Sequence, residues 1–130
     1  TFKVSRAVLN HMEKNKNGVI VNNASVLGWR AQANQSHYSA AKAGIMAFTR
    51  SSAIEAAEFG VRINAVSPSI AIHDHLAKTN SQDLLDELSA KEVFGRAAEP
   101  WEIANVIIFL ASEYSSYMTG EIISVSSQHP

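Results

Sequence analysis

The sequence predicts an α/β protein built on a parallel sheet, and three observations carry that prediction. Short, mostly apolar runs bounded by turn residues alternate with longer segments whose apolar residues recur at helical spacing. The run Val61-Arg62-Ile63-Asn64-Ala65-Val66-Ser67 alternates poorly, as expected of a parallel strand covered on both faces. Punctuation falls between the runs: Gly60 suits a left-handed helix stop, Pro100 a first helical position, and Gly120 a strand entrance.

Residues 1 to about 14 place Phe2, Val4, Val8, Leu9 and Met12 at roughly helical spacing and end in the polar turn Glu13-Lys14-Asn15-Lys16-Asn17-Gly18. A strand is expected at about 19–25, then Gly28 and a polar loop through Ser36, then a long helix from about 37 to Phe59. Ala40, Ala41, Ala43, Gly44, Ala47, Ser51, Ser52, Ala53, Ala56 and Ala57 leave that helix little bulk, so another helix can approach closely. After the strand at 61–67 an irregular stretch is expected from 68 to about 80, of the length usual for a lid or a disordered segment. A short amphipathic helix then carries Leu84, Leu85 and Leu88. Glu99-Pro100-Trp101-Glu102 opens another helix with Ile103, Val106, Ile107 and Leu110 on one stripe, and the last strand is expected at 121–125. Trp101 is assigned to packing, and Glu55 and Glu58 to the exposed side of their helix.

At 130 residues, 46% of them hydrophobic, the chain has single-domain length, residues 1–130, and enough apolar content for a core. Eleven basic and 12 acidic residues are well mixed and give a net charge of −1, so no footprint for nucleic acid or an anionic membrane is present. A small-molecule function is favoured. The absence of cysteine excludes disulfide scaffolds, thiol catalysis and thiolate metal sites. No apolar run approaches the roughly 20 residues needed to span a bilayer, and a cytoplasmic location is expected. The start Thr1-Phe2-Lys3-Val4 has neither the layout of a signal peptide nor an initiator methionine, so the chain is expected to be cut or processed at its front.

The chemistry is concentrated in Tyr38-Ser39-Ala40-Ala41-Lys42. A phenol and an ammonium four residues apart on a helix share one face, one turn from each other. A free tyrosine titrates near about 10, and a cation held close favours the phenolate, so the pair can move a proton near neutral pH. Upstream, Gly18-Val19-Ile20-Val21-Asn22-Asn23-Ala24-Ser25 reads as a turn, a buried strand, and a hydroxyl thirteen residues before the phenol.

The strand-end serine, the Tyr/Lys helix, the strand ending Val66-Ser67-Pro68 and the closing Tyr117-Met118-Thr119-Gly120-Glu121 stand in the order and spacing of the short-chain dehydrogenases/reductases. The chain resembles the second half of that family over essentially all its length. The resemblance implies the second half of a doubly wound, Rossmann-like parallel sheet whose dinucleotide-binding half is absent, since no Gly-rich strand-to-helix turn and no following acidic residue are seen. It also implies an NAD- or NADP-dependent oxidoreductase interconverting a secondary alcohol and a ketone, with relatives among 3-oxoacyl-thioester reductases and hydroxysteroid dehydrogenases. Tyr38 would be the acid or base, Ser25 would hydrogen-bond the substrate oxygen, and Lys42 would act on the tyrosine and reach the nicotinamide ribose. Pro68, Ser69, Ala71 and His73 would border the nicotinamide amide. The family's asparagine would precede Thr1. The helix at about 37–59 would form a homodimer or homotetramer contact, with close packing inside one monomer as the alternative use of its small residues.

Three departures from the family stand out: Ser69 and His73 replace its glycine and threonine, and Ser126-Ser127-Gln128 replaces an acidic-glycine-glycine ending. Trp29 and Arg30 sit where the family's loop borders the substrate pocket, with Arg30 read as a solvated arginine in preference to an anion contact. A metal held by His73, Asp74 and His75, with His37 or His129, is disfavoured by spacing on an irregular loop, and no metal is expected. A serine hydrolase using Ser25 and His37 lacks the glycine-flanked elbow. The alternative from another class is a catalytically inactive assembly module, suggested by the missing dinucleotide half and by Ser69.

Overall fold

The computed structural model describes residues 1–128, except for the side chain of His75. Its elements run α1 (Phe2–Asn15), β1 (Gly18–Asn23), α2 (Ser36–Ala57), β2 (Val61–Pro68), α3 (Asp74–Thr79), α4 (Gln82–Ala90), α5 (Pro100–Ala111) and β3 (Ile122–Val125). Short 3₁₀ turns lie at Val26–Gly28 and Glu113–Ser115. The three strands are neighbours in the order β1-β2-β3, all parallel, with Gly18 to Asn23 facing Val61 to Val66, and Ala65 to Pro68 facing Ile122 to Val125. Parallel neighbours need crossovers, and helices supply both: α2 between β1 and β2, and α3 to α5 between β2 and β3.

β2 is the spine because both its faces are covered. On one face Ala53 and Ala56 of α2 pack on Val61 and Ile63, with Leu9 and Met12 of α1 alongside, while Met46 packs near Ala24 and Ala65. On the other face Ile103 and Leu110 of α5 pack on Val66, joined by Val106 and Ile107 of the expected stripe. The outcome is three layers, helix on sheet on helix. Within α1, Leu9 and Met12 turn inward, whereas Phe2, Val4 and Val8 of the same apolar pattern stay exposed.

Several boundaries differ from those expected. α2 ends at Ala57, because Phe59 and Gly60 donate to the carbonyls of Ala56 and Ala57 and tighten the last turn. Gly60 then takes φ +71°, where an added Cβ would sit 3.0 Å from the Lys16 carbonyl oxygen. β1 stops at Asn23, so Ser25 lies beyond it, and β3 begins at Ile122 because the Glu121 amide donates to the Asn64 side chain. The stretch from 68 to 80 contains α3, started by the His73 imidazole accepting from the Leu76 amide, with Asp74 in the first turn. Trp101 is 60% exposed and is no packing anchor: it falls off the stripe of Ile103, Val106 and Leu110. Glu55 and Glu58 are exposed as expected.

Candidate active site

Parallel strands end on one edge, and here residues 24–30, 68–73 and 126–128 gather beyond the carboxyl ends of β1, β2 and β3. Open α/β sheets bind ligands at that edge. Ser25 is 8% exposed and caps the 3₁₀ turn after β1, its Oγ accepting from the Leu27 amide at 3.3 Å. Accepting leaves the hydroxyl proton for donation to another oxygen.

Tyr38 and Lys42 lie one turn apart near the start of α2, and Tyr38 is 38% exposed. The Lys42 ammonium stands 5.4 Å from the centroid of the Tyr38 ring, within cation–π range, and donates to the Asn23 carbonyl at 3.0 Å. Asn23 is the last residue of β1, two before Ser25, so the lysine ties the tyrosine helix to the end of the serine strand. Two further contacts hold that alignment. The buried Asn22 amide donates to the buried Thr49 hydroxyl at 2.9 Å, pinning β1 to α2. Gly28 presses the 3₁₀ turn onto α2, and a Cβ there would come 2.7 Å from the Met46 methyl and 3.1 Å from the Ala43 amide nitrogen.

Beyond β2, Ser69 donates its amide to the Val125 carbonyl at 3.2 Å, and Ala71 bridges in parallel to Ala98. Ser69 takes no left-handed angle, so this chain uses none of the freedom a glycine would give there. Pro68, Ser69 and Ala71 thus stand at the same edge as Ser25, while the His73 ring is engaged in capping α3. Arg30 is neither a solvated side chain nor a free anion receptor. It is half-buried, and its guanidinium donates through Nη1 to the Gln128 side-chain oxygen and through Nη2 to the Gln128 carbonyl at 3.2 Å. Gln128 in turn donates to buried Glu92. Sequence reasoning missed Glu92 and the role of Gln128, and its one hint was the departure of the tail from the family's ending.

Among the described residues no group of three or more His, Asp or Glu gathers where a metal could sit, and His129 lies outside them. No helix among them is long and apolar enough to cross a membrane. A surface concavity of about 470 Å³ by Asn10, Lys16 and Phe59 lies at the opposite, amino edge of the sheet. A second cleft of about 300 Å³ touches Ser69 and Ser126 at the carboxyl edge.

The family model described as enoyl-(acyl carrier protein) reductase matches residues 1–127. The chain belongs to the short-chain dehydrogenase/reductase family. It is 70% identical over 130 residues to the (5R,7aS)-5-hydroxy-7a-methyl-1-oxo-2,3,5,6,7,7a-hexahydro-1H-indene-carboxyl-CoA reductase of Mycobacterium tuberculosis, covering 99% of this chain and 50% of that protein. It is 41% identical over 125 residues to the 3-oxoacyl-[acyl-carrier-protein] reductase FabG of Vibrio cholerae, covering 96% of this chain and 51% of that protein. A solved 7α-hydroxysteroid dehydrogenase in complex with NADH and 7-oxo glycochenodeoxycholic acid superposes with a TM-score of 0.90 at 28% identity, over 97% of this chain and 49% of that one. The chain therefore spans about half the length of the curated relatives it matches.

Proposed function

We propose that the protein carrying this chain is an NAD- or NADP-dependent oxidoreductase that interconverts a secondary alcohol and a ketone on an acyl thioester or fused-ring substrate. The observation that carries the reading is Lys42, held between the Tyr38 ring and the Asn23 carbonyl beside the Ser25 strand end. The relatives support the substrate class, since one is named for a fused-ring carboxyl-CoA compound and another for a 3-oxoacyl carrier-protein substrate.

The chain's own residues fit the nicotinamide end of such a cofactor. Lys42 offers an ammonium with donors beyond its bond to Asn23, Tyr38 presents a partly exposed phenol, and residues 68–71 lie at the ligand edge. His73 is the weakest of the proposed cofactor contacts, because its ring already serves α3. When bound, the nicotinamide supplies or accepts the hydride. In reduction Tyr38 then gives its proton to the carbonyl oxygen, the Ser25 hydroxyl donates a hydrogen bond to that oxygen, and the Lys42 charge stabilises the phenolate left behind. Oxidation runs the same proton path backwards.

Supporting an origin as the second half of a longer doubly wound domain are the match to half of each relative and β1 at the margin of the sheet, its Val19, Ile20 and Val21 only partly covered. A homo-oligomer through α2 is part of the same proposal, as Ala40, Gly44, Ala47 and Ser51 face outward; sedimentation of the full-length protein as a monomer would remove it.

The test is Tyr38→Phe in the full-length protein, followed by nicotinamide absorbance with a 3-oxoacyl thioester. Turnover should fall roughly a hundred- to ten-thousand-fold, the range for loss of a general acid, while dinucleotide binding persists. Wild-type turnover in that variant defeats the assignment.

A further inference from the structure

The carboxyl-terminal tail and the turn after β1 are joined by a chain of hydrogen bonds that the proposed reaction does not use. Glu92, after α4, is 4% exposed, and no cation among the described residues touches it. A buried carboxylate without such a partner is tolerable only when donors surround it. Three do: the Ser127 amide at 3.2 Å, the Ser127 hydroxyl at 2.7 Å and the Gln128 side-chain amide at 2.8 Å. The other end of the Gln128 carboxamide accepts from Arg30, as does the Gln128 carbonyl. The Gln128 side chain therefore lies between a cation and an anion, which fixes its orientation: oxygen to Arg30, nitrogen to Glu92.

The dependence runs strongly one way. Both side-chain hydrogen bonds of Arg30 go to Gln128, and the buried Arg30 Nε has no partner among the described residues. Without the Gln128 carboxamide the half-buried guanidinium keeps only the Gln128 main-chain carbonyl at 3.2 Å and loses the side-chain contact that fixes its place. Arg30 is itself part of the turn begun by Ser25, since its amide donates to the Val26 carbonyl at 2.9 Å and the Gly28 amide donates to the Ser25 carbonyl at 2.8 Å. Because β2 separates β1 from β3, this bond chain crosses the end of β2, beside residues 68–71.

We infer that Gln128, oriented by Glu92, is a positioning residue that sets the substrate-facing turn at residues 26–30, so that the tail helps determine how substrate is held. The inference rests on the proposed oxidoreductase reading for its kinetic half only.

The experiment compares full-length wild type, Gln128→Ala, and a charge exchange that combines Glu92→Gln with Gln128→Glu. In the exchanged pair the carboxamide now at position 92 can still accept from Ser127 and donate to the carboxylate now at position 128, which in turn accepts from Arg30. In Gln128→Ala the amides of Gly28, Trp29 and Arg30 should exchange with deuterium about tenfold faster, and KM for the carbonyl substrate should rise about tenfold with kcat and dinucleotide Kd little changed. The exchanged pair should return both towards wild type. Unchanged protection at 26–30 in Gln128→Ala overturns the inference, and so does faster exchange with an unmoved KM. A lower melting temperature with wild-type KM and protection leaves the tail a stability element and also overturns it. Exchange is read without turnover, so a wild type that shows no nicotinamide-dependent activity counts against the functional reading while protection still decides whether Gln128 positions the turn at 26–30.

Discussion

Thr49 illustrates how much of the site rests on single polar atoms. Thr49→Val preserves shape but leaves the buried Asn22 amide without the hydroxyl that accepts from it, which should cost about 1–3 kcal/mol in urea unfolding. The same change should loosen α2 against β1, and with it the approach of Lys42 to Asn23. A double-mutant cycle with Asn22→Ala checks the cause, since the two losses should be strongly non-additive. Gly28→Ala acts differently, by crowding: the Met46 methyl can swing away, but the Ala43 backbone cannot, so a loss of about 1–3 kcal/mol is expected in the same assay. Tyr38 and Lys42 were legible as neighbours because four residues is one helical turn whatever the rest of the chain does. Arg30 was not, since its partner lies 98 residues away and nothing local to either residue marks the contact.

Among the elements, α5 depends most visibly on its first turn. Glu102 accepts from Arg96 Nη1 at 2.7 Å and Nη2 at 2.8 Å, and from the Glu99 amide at 2.8 Å, so one carboxylate both pairs with an arginine and satisfies the open start of the helix. The Arg96 hydrogen bonds first, and the Glu99 amide second, hold the Glu102 carboxyl down from the ordinary 4.5 to about 2. A carboxyl whose folded value is depressed contributes stability above its unfolded value and loses it as pH falls through the folded one. Wild type should therefore exceed Glu102→Gln in unfolding midpoint above pH 4.5, and the gap should close between about 4.5 and 2. A gap that is constant over that range refutes the linkage. The start of α5 was legible from Pro100 and the acidic residues around it. The inserted α3 was not, because a six-residue helix capped by a histidine side chain offers almost no periodicity to read.

Across the molecule, the third strand is held by polar residues of the second. Arg62 Nη1 donates to the carbonyls of Leu110 and Met118 and to the Ser115 hydroxyl, and Nη2 donates to the Ser112 carbonyl. Asn64, wholly buried, donates to the Met118 carbonyl at 2.8 Å and accepts from the Glu121 amide at 3.0 Å. Asn64→Leu would take from the Glu121 amide its acceptor and leave the Met118 carbonyl with Arg62 alone, which should cost about 1–3 kcal/mol, with hydrogen exchange rising first at residues 119–123. Equal protection there in the variant would show that apolar packing alone seats β3. The α/β class, the order of the major elements and the tyrosine–lysine pair were all readable from the residues in line, because period, turn chemistry and helical spacing are properties of a few adjacent positions. Folding was needed to bring Lys42 to the end of the serine strand, to occupy Arg30 with the tail, and to bury Glu92 among donors. Those contacts join segments far apart in the chain, and their geometry exists only once the parallel sheet has brought its three carboxyl ends to one edge.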